Sequence, residues 1–472
     1  MNMVVICCDT FRADIVGAGK KLSHVKTPHL DQLASDGLIF NRCFAEGLPT
    51  IPFRRCVFTG IPSFPWRFDT PNEGLQPAGS GWHPIPPDQD TLAERLHDAG
   101  FVTGLVADTY HMFKPTQNFT RGFLSWRFIR GQEQDGYRTG PLSRIDLAAH
   151  VRDGDADPKK HAVIVQYLLN MLDRQEGEEN YLAAQVFREA SQWVEDNRGN
   201  KPFFLWIDSF SPHELWDPPR QYADAYFSDP SVKDYIHHSV LPLGEATDAE
   251  IERTKALYMG YVTFVDRWIG HLLETIDRLN LRDDTVVMFI SDHGTQLMDR
   301  GRFGKGGNAL FPFNTQINWI VRHPDGPRGQ ETDIWTQNQD ITPTILNLLG
   351  VDYEEMDGAD AWACVTGACE PARDYITTGW ATNFNVRDDR YSVHMDVGTR
   401  SPEATVYDLN VDSDEKNPLS DPPREVVAQA LERARTVIGD FPDVFSAYKQ
   451  RYAARAMRTF MGKYNLGGTI RR

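Results

Sequence analysis

The stretch Thr285-Val286-Val287-Met288-Phe289-Ile290-Ser291-Asp292-His293-Gly294 decides the fold. Thr285 to Ile290 is a run of β-branched and apolar residues with no polar alternation, the pattern of a strand covered on both faces. It ends on an acid, an imidazole and a glycine. Just upstream, Leu257, Tyr261, Phe264, Val265, Trp268, Ile269, Leu272, Leu273 and Ile276 recur at helical spacing, which predicts a strongly amphipathic helix. The same alternation recurs along the chain. Val4 to Cys8, Phe101 to Val106 and Phe203 to Ile207 read as further buried strands, while Pro28 to Ala34 and Leu92 to His97 read as helices. Strands alternating with helices predict a mostly parallel sheet with helices on both faces. In such sheets ligands bind outside the carboxyl ends of the strands, where Asp9 and the Asp292-His293 pair fall.

Composition narrows the classes. With 472 residues, 41% hydrophobic and 24% charged, the chain has room for a large α/β domain and a smaller second one, and is neither fibrous nor disordered. No stretch approaches the roughly 18 apolar residues needed to span a bilayer, so no membrane association is expected. Lys and Arg number 49 against 66 Asp and Glu, a net charge of −17, which argues against nucleic acid as a partner. A small anionic substrate remains compatible, because local cations or a metal override the global field. Six cysteines in a chain this long do not form a disulfide framework, and the chain opens on an apolar strand with no basic leader; a cytoplasmic protein is expected.

The expected organisation is a catalytic domain over residues 1–374 and a smaller C-terminal α+β domain over 375–472, the latter with short strands at Tyr391–Val393 and Thr405–Tyr407 and a helix at Pro423–Val437. The polar segment 127–200 reads as an insertion with helices of its own. The tail from Lys449 to Arg472 is locally basic against an acidic body, which makes a homo-oligomeric contact an open reading.

Three acid or imidazole clusters end predicted strands: Asp9, Asp208 with His213, and Asp292-His293. Carboxylates and an imidazole converging on one sheet edge suit a divalent cation. A lone strand-terminal Asp is more often a cap or turn residue, so the clusters gain weight only together.

The segment Thr50-Ile51-Pro52-Phe53-Arg54-Arg55-Cys56-Val57-Phe58-Thr59-Gly60 changes the odds. It resembles the signature of the sulfatase branch of the alkaline phosphatase superfamily, in which Pro, Arg and Thr-Gly follow the nucleophile at these spacings. Other segments resemble the family in the same order. They are Cys8-Asp9-Thr10-Phe11-Arg12, Thr27-Pro28-His29-Leu30-Asp31, Ser211-Pro212-His213, Ser291-Asp292-His293-Gly294, Phe303-Gly304-Lys305-Gly306, Asp340-Ile341-Thr342-Pro343-Thr344 and Val406-Tyr407-Asp408-Leu409. The resemblance implies an α/β fold with a large mixed, mostly parallel sheet flanked by helices, and a smaller C-terminal domain. It also implies that Asp9, Asp292, His293 and an oxygen of Thr50 hold a metal. Arg54 would position the nucleophile, while His213 and Lys305 would contact the ester; His111 falls one residue out of the family's register.

Two departures steer the chemistry. Sulfatases of this branch carry Cys or Ser at the nucleophile position, oxidised to formylglycine; here it is Thr50, whose β-carbon already bears a methyl group and cannot become an aldehyde. Threonine as nucleophile favours phosphodiester or phosphonate monoester hydrolysis, since related phosphodiesterases and phosphotransferases of the superfamily use Thr this way, while the phosphonate monoester hydrolase and phosphodiesterase members resemble this chain in lacking the second acid of the first metal motif. The family's second acid at the first metal motif is replaced by Thr10, which with His293 shifts preference from Ca²⁺ toward Mn²⁺ or Zn²⁺. A sulfate ester hydrolase working without formylglycine, and a catalytically inactive binder of anionic esters, are the alternatives. A second ion held partly by Asp208 and His213 stays open.

Overall fold

A computed structural model describes residues 1–17, 20–65, 81–82, 84–114, 117–172, 177–306 and 308–439. Its centre is an eight-stranded sheet. In chain order the strands are β1 (Asn2–Cys8), β2 (Leu38–Phe40), β3 (Val102–Ala107), β4 (Ser125–Phe128), β5 (Phe203–Ser209), β6 (Thr285–Ser291), β7 (Trp319–Arg322) and β8 (Gln330–Thr332). Their spatial order is β8-β2-β7-β6-β1-β5-β3-β4. Every pairing is parallel except those of β7, which runs antiparallel to both β6 and β2. The sheet is therefore mixed and mostly parallel, as expected.

The unbroken apolar runs are explained by two cores, one on each face. Along β1 the side chains of Val4, Ile6 and Cys8 enter one core and those of Met3, Val5 and Cys7 the other. The first core is closed by helices α1 (Pro28–Ser35), α3 (Leu182–Asn197) and α4 (Asp248–Arg278), and the second by α2 (Thr50–Thr59). The helix read from Leu257 starts nine residues earlier, at Asp248. There Thr247 accepts from the Glu250 amide and the Glu250 side chain returns to the Thr247 amide, a reciprocal cap that saturates two orphan donors. Within 127–200, α3 buries Phe187, Ala190 and Val194 in the same core as the sheet, so that stretch is built into the main domain.

The C-terminal part is an antiparallel sheet of β9 (Tyr375–Trp380), β10 (Asn383–Asp388), β11 (Tyr391–Asp396) and β12 (Ala404–Asp408), covered by α5 (Arg424–Ile438) around its own core. It grips the main domain just before α2: the Gly379 amide donates to Glu46 O and the Leu48 amide to Gly379 O. The smaller sheet thus braces the entry to the helix that begins at Thr50. The basic tail from Lys449 lies outside the described residues. Among the described residues, no helix is long and apolar enough to cross a membrane.

Candidate active site

Register sets the site. Cys8 of β1 is level with Ser209 of β5 and Ser291 of β6, so Asp9 and Asp292 leave adjacent parallel strands at the same height. Asp208, two residues below on the Cys7 level, completes a row of three carboxylates. All three are fully buried.

One guanidinium serves all of them. Arg54, one turn beyond Thr50 on α2, is itself fully buried. Its Nε and Nη2 donate to Asp208 Oδ1 at 3.0 and 2.8 Å. Its Nη1 donates to Asp292 Oδ2 at 2.7 Å, Asp9 Oδ2 at 3.2 Å and the Thr50 carbonyl at 3.0 Å. Burial opposes ionisation of Asp9, yet Arg54, with His213 and His293, holds its carboxyl below the ordinary range. Burial and the neighbouring Asp9 charge push Asp292 the other way. Three carboxylates against one cation is an imbalance that a further positive charge would relieve.

His293 faces that imbalance. Its Nδ1 lies 2.9 Å from the Gly294 carbonyl, which can only accept, so Nδ1 carries the hydrogen and Nε2 presents a lone pair. That Nε2 is buried with no hydrogen-bond partner and sits 3.6 Å from both Asp9 Oδ1 and Asp292 Oδ2. Burial pushes the imidazole pKa down to about 3, so the ring is neutral. Gly294 is required here, since a Cβ would lie 2.1 Å from the Phe313 carbonyl oxygen. Two carboxylates and a neutral imidazole whose ligand atoms lie within 4.8 Å of one another fit a divalent cation, and they are the one such group of three among the described residues. The carboxylates are oriented from behind. The Thr10 hydroxyl donates to Asp9 Oδ1 at 2.8 Å, and the amides of Thr10 and His293 donate to Asp292 Oδ1 at 2.9 and 2.7 Å.

Asp208 does not join this group. Both its oxygens accept from Arg54, and the Thr109 hydroxyl and Trp206 indole N–H donate to it as well. In this arrangement Asp208 serves as a counter-ion of Arg54.

Lys305 reaches the site from the other side. Its Nζ lies 3.2 Å from Thr10 Oγ1 and 2.6 Å from Glu214 Oε2. Glu214 is a residue of this cluster that sequence reasoning missed. It is buried, and its Oε2 also lies 3.2 Å from His213 Nδ1 while Oε1 lies 3.3 Å from His238 Nε2. Burial opposes the charge, but Lys305, His213 and His238 hold the carboxyl well below its usual range. The available signal was that a lysine drawn into a closed site needs an anion, and Glu214 adjoins His213. His213 Nδ1 is 2.6 Å from the Glu214 carbonyl, so it carries the hydrogen and Nε2 is the exchangeable nitrogen.

His111 lies beside this second cluster. The His213 ring stacks on Phe210 at 4.1 Å, and His111 meets the same phenylalanine at 5.8 Å. Glu133, also missed, sits 3.6 Å from His111 Nε2 and accepts from the Tyr110 hydroxyl at 2.6 Å. The structure thus joins Asp9, Thr50, Arg54, Asp292 and His293 directly, Lys305 through Thr10, and His213 and His111 along an adjoining wall. Trp216 is core: it is fully buried against Tyr258 and Phe303.

A mixed sheet carrying a candidate cation site, a buried arginine and a lysine at its strand ends is suited to an enzyme acting on an anionic ester. The particular family follows from the sequence as a whole. A family model described as Sulfatase matches residues 1–351, and the chain belongs to that family, within the alkaline phosphatase superfamily. Among curated relatives it is 25% identical to an arylsulfatase of Clostridium perfringens, covering 79% of this chain and 80% of that one. It is also 25% identical to the multifunctional alkaline phosphatase superfamily protein PehA of Trinickia caryophylli, over 74% of each. Among solved structures, the phosphonate monoester hydrolase of Agrobacterium radiobacter shares the fold with a TM-score of 0.70, 19% identity and 96% coverage of both chains.

Proposed function

We propose that the protein hydrolyses monoanionic phosphoesters, phosphodiesters or phosphonate monoesters, with Thr50 as the nucleophile. The observation that carries the reading is the bridge made by Arg54 Nη1, which ties the Thr50 backbone to Asp9 and Asp292 at once. Thr50 also opens a ten-residue helix, where the positive end of the peptide dipoles favours a developing oxyanion. Its hydroxyl makes no hydrogen bond among the described residues, so no protein acceptor competes for it.

Asp9, Asp292 and His293, with an oxygen of Thr50, would hold one divalent ion, Mn²⁺ or Zn²⁺ given the imidazole; when bound, it would ease ionisation of the Thr50 hydroxyl and offset charge on the ester. The chain's own groups do the rest. Arg54 fixes the N-terminal turn of α2, and so the line along which Thr50 Oγ1 meets phosphorus. Lys305 Nζ offers donors to the equatorial oxygens, a contribution of roughly 3–4 kcal/mol to the barrier. His213, hydrogen-bonded through Nδ1, presents Nε2 to give the leaving oxygen its proton, with His111 next in line. Attack by the Thr50 oxygen, its proton released to solvent on ionisation, breaks the bond from phosphorus to the leaving oxygen, which takes the His213 proton, and leaves a phosphoryl ester on Thr50. Water then attacks phosphorus, giving its proton to the imidazole that lost one, and the P–O bond to Thr50 breaks.

Sulfate ester hydrolysis is the second reading, supported by the arylsulfatase relative. The methyl group of Thr50 weighs against it, because an acyclic sulfate on threonine lacks the elimination route open to formylglycine. Rates on bis-p-nitrophenyl phosphate, p-nitrophenyl phenylphosphonate and p-nitrophenyl sulfate decide between them. We expect diester or phosphonate turnover to exceed sulfate turnover and to fall by about 10³-fold or more in Thr50→Ala. Faster sulfate turnover overturns the substrate ranking; undiminished turnover in the variant overturns the nucleophile.

A further inference from the structure

We propose that Glu214 is a specificity-determining residue: its carboxylate, paired with Lys305, sets the charge of the site so that esters carrying one negative charge are accepted and dianionic phosphate monoesters are rejected. This rests on the function proposed above and names the substrate class by charge.

The argument is a count of fixed charges. Among the described residues, Arg54 and Lys305 are the two cations paired with the site's carboxylates. Asp9, Asp208, Asp292 and Glu214 are four buried carboxylates bonded to them. A divalent ion on Asp9, Asp292 and His293 balances the two excess negative charges. The four carboxylates, Arg54, Lys305 and that ion then sum to zero charge before substrate arrives. A phosphodiester, a phosphonate monoester and a sulfate monoester each bring one negative charge, which ionised donors at close range can hold. A phosphate monoester above about pH 7 brings a second, and no further lysine or arginine among the described residues pairs with these carboxylates.

Glu214 is the one carboxylate of the four that serves neither the cation trio nor Arg54. Its Oε2 is 2.6 Å from Lys305 Nζ, close enough to take most of that cation's field. It is fixed by two histidines, His213 at 3.2 Å and His238 at 3.3 Å, and is almost wholly shielded from water. The pair is therefore permanent rather than a surface contact that salt would screen. A residue needed only to hold Lys305 in place would not have to be charged. The charge has an effect of its own, and that separates selectivity from mere positioning.

The test compares wild type with Glu214→Gln, which keeps the shape and a hydrogen-bond acceptor for Lys305 but removes the charge, and with Glu214→Asp, which keeps the charge. At about pH 9, where a phosphate monoester is a full dianion and unperturbed imidazoles are neutral, kcat/KM is measured on p-nitrophenyl phosphate and on bis-p-nitrophenyl phosphate. The monoester-to-diester ratio is expected to rise about tenfold or more in Glu214→Gln and to stay within about threefold of wild type in Glu214→Asp. Calorimetry on the Thr50→Ala protein provides a readout free of turnover, using methyl sulfate as monoanion and inorganic sulfate as dianion. Wild-type Glu214 is expected to bind methyl sulfate at least as tightly as sulfate, and Glu214→Gln to reverse that order. An unchanged ratio in Glu214→Gln, or equal changes for both anions, overturns the inference. So does stronger binding of sulfate than of methyl sulfate with Glu214 intact, which needs no Glu214 variant. Wild-type silence on every ester would instead sink the proposed function, while the calorimetry would still decide the charge selectivity.

Discussion

Two buried ionic clusters in this molecule are built to opposite rules. At the strand ends, one cation, Arg54, is surrounded by three carboxylates, and the His293 lone pair beside them has no partner. In the C-terminal part, one carboxylate, Glu415, is surrounded by donors: Arg387 and His394 on its oxygens and Arg300 on its backbone carbonyl. Glu415 is complete as it stands, and its carboxyl is held down to about 2; burial opposes the charge but His394 and Arg387 outweigh it. The first cluster is complete only with another positive charge. Surplus negative charge beside an unpartnered nitrogen points to ligand binding, whereas balanced charge points to architecture.

The largest effect expected from this contrast is on metal content. Asp292→Ala removes a carboxylate from the trio, and elemental analysis of the purified variant should show the bound divalent ion reduced to background. Ion retained at the wild-type level would mean the surplus charge has another purpose. In the same experiment Glu415→Gln should retain the wild-type metal content.

Next is turnover. Lys305→Ala should lower kcat by about 10²–10³-fold while the ion stays bound, because Lys305 touches the trio only through Thr10. Loss of metal along with activity would place Lys305 in the first cluster's charge balance rather than on the ester.

How much of this contrast was legible beforehand follows the physics of each part. The strand ends were readable because a strand buried on both faces is an unbroken apolar run, so Asp9 and Asp292-His293 stood out at its termini. Arg54 was readable only through the family resemblance that its spacing from Thr50 carries. Glu214 and Glu133 were not, since nothing in periodicity or spacing says which surface-type residue the fold will bury beside a lysine or histidine. The short strands at and next to the sheet edges were also missed. Leu38–Phe40 and Gln330–Thr332 have three residues each, too few to display a period, and Ser125–Phe128 is mostly exposed. Asp208 was ambiguous in a different way: a strand-terminal carboxylate has the same appearance whether it will meet a metal or an arginine.

A smaller effect, on stability alone, sharpens the other half of the comparison. Because the folded-state pKa of Glu415 is depressed from an ordinary 4.5 to about 2, its contribution is present above pH 4.5 and is lost as the pH falls through that window. The gap corresponds to about 3 kcal/mol. Wild type should therefore exceed Glu415→Gln by roughly that amount at neutral pH, with the difference closing below pH 4.5 and gone near pH 2. Denaturant titrations across that range measure it. A difference independent of pH would show that shape, not charge, holds the cluster.

The smallest expected effect concerns the residue that links the carboxylates of the first cluster to Lys305. Thr10 stands where the family places a second acid, and it adopts a left-handed backbone with φ of 60°, which is costly for a β-branched side chain. Its hydroxyl and amide orient Asp9 and Asp292, and the hydroxyl meets Lys305, so the strained turn is what lets one residue reach all three. Thr10→Ala and Thr10→Gly both delete that hydroxyl, but only glycine is at ease at this φ. The glycine variant should therefore be more stable than the alanine variant by about 1 kcal/mol, against the usual order in which glycine loosens a chain. Both should lose turnover to a similar extent, since the contact with Lys305 is gone in each. An alanine variant as stable as the glycine one would mean that the turn is relaxed, and that the reach of Thr10 comes at no conformational cost.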